Sequence, residues 1–116
     1  MLGIDIVDIE QVKSVYDKHG RHFLDKILTP KEISDLLKSN PRVFFQRLGY
    51  YFAAKEAVFK ACGDAKLGWK DIILRRIRPT PVIEIQKSDF QARIILTFSS
   101  TRDMVMAQAV VMRACV

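Results

Sequence analysis

Cysteine and histidine are scarce in this chain. Its two cysteines, Cys62 and Cys115, lie far apart in sequence, which fits reduced thiols better than a disulfide framework. Its two histidines, His19 and His22, sit together with no Cys or His set elsewhere to complete a zinc site. The five glycines are scattered, and neither the phosphate-binding G-x-x-x-x-G-K pattern nor the dinucleotide G-x-G-x-x-G pattern occurs. No apolar run approaches ~18 residues, so no segment is expected to span a membrane. The first residues, Met1-Leu2-Gly3-Ile4-Asp5, lack a basic stretch and meet an acid at once, unlike a secretory leader. Ser99 and Ser100 have no histidine placed by a motif to activate them, so they read as turn residues rather than nucleophiles.

Acidic residues are also in the minority. Against 13 Asp and Glu stand 19 Lys and Arg, giving a net charge of +6 and an isoelectric point near 9.6. Such a balance favours an anionic partner, whether nucleic acid, a phosphorylated ligand or an acidic protein. With 116 residues, 49% hydrophobic and 28% charged, the chain reads as one soluble domain over residues 1–116, with enough length to bury a core and a cytoplasmic location expected. No repeat, linker or low-complexity tract divides it.

Leu2 to Val7 alternates as a short strand, with Leu2, Ile4 and Ile6 on one side and Gly3, Asp5 and Val7 on the other. Asp5 is then an acid inside a strand, where Asp is disfavoured. Either it faces water on an edge strand or it serves as a metal ligand. Asp8 reads as a helix cap, with its carboxylate expected on the backbone N–H of Gln11. The helix Ile9 to Lys18 buries Ile9, Val12 and Tyr16. It presents with the next segment a basic surface of Lys13, Lys18, His19, Arg21, His22 and Lys26, either a solvated face or a dock for something acidic. Thr29-Pro30-Lys31-Glu32 is a strong helix start, and that helix should stop before Asn40-Pro41. The second half reads as four strands, about Ile72–Arg78, Val82–Gln86, Arg93–Ser99 and Met104–Arg113. Helices and strands are segregated along the chain, which predicts an α+β fold in which an antiparallel sheet packs on a long central helix.

That helix, about Val43 to Cys62, carries the strongest signal. It is rich in alanine, lacks proline and meets Gly63 where a helix would stop. At roughly 100° per residue, Leu48, Phe52 and Phe59 share one face and Lys55 projects from its middle. A charge there is costly without a partner. Glu56 and Lys60 have the spacing of an i,i+4 surface pair, which accounts for them but not for Lys55. Phe44-Phe45 and Tyr50-Tyr51 have the chemistry of base-stacking platforms, although aromatics on a helix are usually core. The oddly placed carboxylates Asp5 and Glu56 suit Mg2+, which keeps water and takes further ligands from substrate phosphates. Lysines alongside would neutralise those phosphates.

Several stretches resemble the holo-[acyl-carrier-protein] synthase family, the small bacterial 4'-phosphopantetheinyl transferases. Gly3-Ile4-Asp5-Ile6-Val7-Asp8-Ile9 is similar to the G-x-D-I-V-E-I motif, and Arg21 through Glu32 to F-x-x-R-I-L-T-x-x-E. Phe52-Ala53-Ala54-Lys55-Glu56-Ala57 with Lys60-Ala61 matches the F-A-A-K-E-A-x-x-K-A signature. The resemblance implies the 4'-phosphopantetheinyl transferase fold and a homotrimer with active sites at the subunit interfaces. It further implies transfer of phosphopantetheine from coenzyme A to a serine of an acidic acyl carrier protein, with adenosine 3',5'-bisphosphate released. Nucleic acid and membrane are then not partners. On the same resemblance Asp5 and Glu56 are the Mg2+ ligands and catalytic with Lys60, while Lys55, Lys60, Gly63, Arg47, Ser100 and Thr101 surround the coenzyme A.

Three positions depart from the family pattern. Tyr51 stands where an arginine precedes F-A-A-K-E-A, with Arg47 one turn earlier. Ser100 stands where the S-x-S/T-H-S/T block has histidine, and Gly63-Asp64-Ala65 replaces G-T-G. The missing arginine and histidine go with the nucleotide and its phosphates, and each lost charge-assisted contact is worth roughly 1.5–3 kcal/mol. The alternative expectation is therefore a non-catalytic homologue that binds carrier protein or nucleotide.

Overall fold

The structure, a computed structural model, describes residues 1–63 and 66–113, so Cys115 lies outside the described residues. In chain order the elements are β1 (Leu2–Asp8), α1 (Ile9–His19), α2 (Arg21–Ile27), α3 (Pro30–Leu37), a 3-10 turn (Pro41–Val43) and α4 (Phe44–Cys62). A second 3-10 turn (Trp69–Asp71) leads to β2 (Ile72–Arg76), β3 (Val82–Ile85), β4 (Ala92–Ser100) and β5 (Met104–Arg113). The fold is α+β, as the segregation of helical and strand patterns predicts. The strands form two antiparallel sheets rather than one, ordered β1-β5-β4 and β2-β3.

The alternation of β1 holds: Gly3, Asp5 and Val7 face α4, and Leu2, Ile4 and Ile6 face outward. β1 is an edge strand, yet the Asp5 side chain is only 12% exposed because α4 covers it. Asp8 caps α1 through the N–H of Glu10 at 2.9 Å, one residue earlier than the N–H of Gln11 expected of it. The capping box at α3 is complete, with Thr29 and Glu32 exchanging side-chain to backbone bonds. Helix α2 was not foreseen as an element. Its start at Gly20 (φ 57) folds the chain back so that Leu24 and Ile27 enter the core.

α4 is buried nearly all round, not on one face. The three-stranded sheet covers one side, and α3, β2 and the 3-10 turn at Trp69 cover the other. Phe44 and Phe45 stack edge-on with Tyr16, so they are core and not base platforms. β1 lies unusually close on α4. A Cβ added at Gly3 would lie 1.9 Å from the carbonyl oxygen of Ala57 and 2.7 Å from the backbone nitrogen of Ala61. Only glycine on the strand, opposite alanines on the helix, permits this approach.

Gly3→Ala is expected to cost at least about 1–3 kcal/mol, because backbone and not a side-chain tip must yield. Urea unfolding measures this, and an unchanged midpoint would contradict the close approach.

Candidate active site

Close packing of β1 on α4 sets Asp5 beside the second half of that helix. Lys60 donates to Asp5 Oδ1 at 2.9 Å and to the carbonyl of Ile4 at 3.1 Å. The expected Glu56–Lys60 surface pair is replaced by this strand-to-helix pair, because β1 brings a carboxylate closer to the ammonium. Lys60 is 52% exposed, and its hydrogen bond with Asp5, its main influence, holds its pKa above the ordinary lysine value. It is therefore a cation at neutral pH with one N–H still free, since an ammonium carries three.

Glu56 lies half-buried on the same flank. Burial first, and the neighbouring Asp5 carboxylate second, push its carboxyl above the usual glutamate range, with Lys60 opposing. Asp5 Oδ2 is buried and has no hydrogen-bond partner. Two crowded carboxylates and an orphaned oxygen are the arrangement a divalent cation relieves. Among the described residues no third His, Cys, Asp or Glu completes a larger metal cluster. The donor set thus fits a hard cation that leaves positions for water and phosphate oxygens. Gly63 ends α4 one turn beyond these groups with φ 58.

Lys55 belongs to no ligand site, which corrects its expected contact with coenzyme A. It is fully buried, and all three of its N–H groups are committed: to Glu32 Oε1 at 2.7 Å, the carbonyl of Ile27 at 2.8 Å and the carbonyl of Trp69 at 3.0 Å. Glu32, 1% exposed, also accepts from the N–H of Thr29 at 2.9 Å and, through Oε2, from the N–H of Leu74 at 2.9 Å. This pair joins the end of α2, the start of α3, α4, the Trp69 turn and β2. Burial lowers the lysine pKa, and Glu32 counters it. Sequence reasoning assigned Glu32 only to a cap. A capping glutamate is normally exposed, and nothing local signals that it reaches a lysine 23 positions away.

The remaining expected residues gather on the opposite flank of α4. Ser100 Oγ lies 2.8 Å from the hydroxyl of Tyr50, and Arg78 approaches that hydroxyl at 3.3 Å. They line a cavity of about 370 Å³ with Thr97, Phe98 and Thr80. Arg47 lines a smaller adjoining cavity beside Tyr50 and Arg78. Thr101 turns its hydroxyl into the β4–β5 hairpin, accepting from the N–H groups of Asp103 and Met104. Tyr51, at the family's arginine position, is 5% exposed, and burial beside Glu32 and Asp35 pushes its phenol up to about 12. Tyr50 and Arg78 were not singled out from sequence as ligand groups, because their juxtaposition is tertiary.

Antiparallel strands packed on a long buried helix are the arrangement of the 4'-phosphopantetheinyl transferases. Structural similarity supports that class: Helicobacter pylori holo-[acyl-carrier-protein] synthase in complex with coenzyme A superposes with TM-score 0.81, 26% identity and coverage of 96% of this chain and 99% of that one. The chain belongs to the 4'-phosphopantetheinyl transferase superfamily, whose sequence pattern matches residues 1–109. It is 36% identical over 115 residues to the holo-[acyl-carrier-protein] synthase of Chlorobaculum parvum, covering 95% of this chain and 96% of the relative. To that of Campylobacter hominis it is 43% identical over 89 residues, covering 73% and 72%.

Lys55→Met is expected to destabilise the protein by about 3–5 kcal/mol, because Glu32 is left charged and unpaired in the core. The double variant Lys55→Met, Glu32→Gln should be more stable than Lys55→Met alone. A double-mutant cycle in urea reads this, and strictly additive costs would show that the pair is not coupled.

Proposed function

We propose that this protein transfers 4'-phosphopantetheine from coenzyme A to a serine of an acidic acyl carrier protein, with Mg2+, in the cytoplasm, as one transferase domain. The observation that carries this reading is the meeting of Asp5, Glu56 and Lys60, with Asp5 Oδ2 left unpartnered. The named relatives and the coenzyme A complex of the Helicobacter protein support the substrate pair.

In this mechanism Asp5 and Glu56 would hold the metal. When bound, Mg2+ would neutralise charge on the pyrophosphate and lower the pKa of a coordinated water, which would help to take up the proton of the carrier serine. Lys60, kept protonated by Asp5, turns its free N–H to the phosphate that departs as part of adenosine 3',5'-bisphosphate.

Docking of the carrier falls to α1 and α2. Cavities beginning at Asp5 and running past Val15, Phe23 and Phe52 to Trp69 form an apolar path, with exposed Lys26 on its rim and exposed Lys18 on the same helical surface. Arg21, expected in the same surface, is already paired with Asp25 at 3.1 Å. Positive charge beside an apolar path suits an acidic helical partner and makes encounter salt-dependent.

Transfer of the phosphopantetheine mass to apo carrier protein is expected with Mg2+ and coenzyme A, slowing as ionic strength rises. Glu56→Gln should reduce it by about 100-fold or more. The folded protein holds the Glu56 proton more tightly than the unfolded chain does. Its contribution to stability is thus present in acid and lost as pH rises through the raised pKa. Mg2+ should accordingly raise Tm more at neutral than at acid pH, and not in Glu56→Gln. Coenzyme A binding with no transfer to any of several carriers would assign a non-catalytic homologue instead.

We also propose that the chain assembles as a homotrimer through the outward face of the three-stranded sheet. Leu2, Ile4, Ile6, Ile95, Met104, Met106 and Met112 are each 38–59% exposed, and their pairing register puts them on that one face. Contiguous exposed apolar area of this kind marks an interaction surface. Sedimentation equilibrium should give three times 13.3 kDa, and Ile6→Glu should give monomers. A monomeric wild-type protein at micromolar concentration would reject the assembly.

A further inference from the structure

The buried ammonium of Lys55 fixes two walls of a cavity. It donates to the carbonyls of Ile27 at 2.8 Å and Trp69 at 3.0 Å, and both residues line a space of about 440 Å³ between α1, α2 and α4. Phe52 and Phe59 pack on the Trp69 indole with centroids 5.4 and 4.9 Å away, and Phe23 packs on Phe52 at 6.2 Å. The walls are therefore set before anything enters, which lowers the ordering cost of binding. A concave, preformed and mainly apolar space of this size suits a small ligand. Its apolar lining is Val15, Phe23, Ile27, Phe52 and Trp69. Its polar lining is Lys26 with the imidazoles of His19 and His22, all three exposed, and no carboxylate lines it.

The lining decides the class of ligand. Apolar walls favour an aliphatic body, and a rim whose polar side chains are all bases favours an anionic head. No arginine is among those bases, so the bidentate grip that suits phosphate is missing and a monoanionic carboxylate fits better. The tail has a path to follow. A second cavity of about 220 Å³ shares Val15, Phe23 and Phe52 with the first and runs on past Val12 to Asp5. The bases line only the first cavity and Asp5 only the second, so like charge keeps an anionic head at the Lys26 end. We propose that this path binds a single-chain aliphatic carboxylate, a medium-chain fatty acid, with its head at Lys26, His19 and His22 and its tail along Phe23 and Phe52. The assignment goes beyond the transferase reading, because binding needs no transfer. Where that reading holds, the fatty acid occupies the path on which the carrier docks, and it limits transfer by competing with the carrier and not with coenzyme A.

Trp69 is the only tryptophan of the chain, so its fluorescence reads this cavity directly. Decanoate, kept below its micellar concentration, should change that fluorescence saturably in the full-length protein, and calorimetry should give the same Kd. From octanoate to dodecanoate each added methylene should tighten binding about three- to fourfold, as burial of a CH2 group requires. Decanol should bind more weakly than decanoate, and Lys26→Gln should remove about two- to fivefold of that difference. Val15→Glu, at a position 39% exposed where the fold tolerates charge, should weaken decanoate about 10-fold or more. No saturable response, no dependence on chain length, decanol equal to decanoate, a preference untouched by Lys26→Gln, or normal binding by Val15→Glu would each overturn the assignment. Binding to vesicles of anionic lipid with none to monomeric decanoate would overturn it too, making the basic face a membrane surface. In transfer assays decanoate should raise the apparent KM for carrier and leave kcat unchanged, whereas competition with coenzyme A would contradict the location. A decanoate complex in a protein that transfers nothing would uphold the site and reject the transferase reading. Transfer without any decanoate response would do the reverse.

Discussion

A fully buried ion pair organises this molecule. Taking an ammonium and a carboxylate out of water costs several kcal/mol per ion, and the attraction between them repays it only when the remaining hydrogen-bonding capacity is also used. Lys55 and Glu32 meet that condition: three lysine donors and both carboxylate oxygens are engaged, largely with backbone groups. The backbone groups come from the ends of helices and the start of a strand, where hydrogen bonds are otherwise missing. The pair thus replaces capping water at several termini and fixes α4 against four neighbouring segments. Glu56 is the next residue on that helix, so the rotation of α4 that buries Lys55 also sets the direction of Glu56.

The second constraint is steric. Gly3 against Ala57 and Ala61 lets a strand backbone touch a helix backbone, and two residues later Asp5 comes within reach of Lys60 and Glu56. Burial first, and the neighbouring Asp5 carboxylate second, raise the Glu56 pKa, and one Asp5 oxygen is left without a partner. Repulsion of this kind is retained where binding of a cation makes use of it.

Much of this was legible in the sequence because it is local. Alternation in β1, the Thr29–Glu32 capping box and the alanine-rich helix ending at Gly63 follow from neighbours a few positions apart. Asp5 stood out because an acid in a strand is costly, and Lys55 because a charge on an apolar face is. What the pattern lacked was partners. Lys55 is satisfied by Glu32 and by carbonyls of Ile27 and Trp69, and carbonyls have no sequence signature. Lys60 prefers Asp5, 55 positions away, to Glu56 one turn before it. Helix α2 escaped notice because seven residues carry too few periods to separate from a basic turn.

The outward face of the sheet has a consequence for how much protein is needed. A chain that covers such a face with copies of itself carries a concentration term in its free energy. In the proposed assembly of three, dilution would remove partners by mass action, and the assembled fraction would fall as a steep power of total protein. Were the site completed across subunits, abundance itself would set how much of the chain is competent.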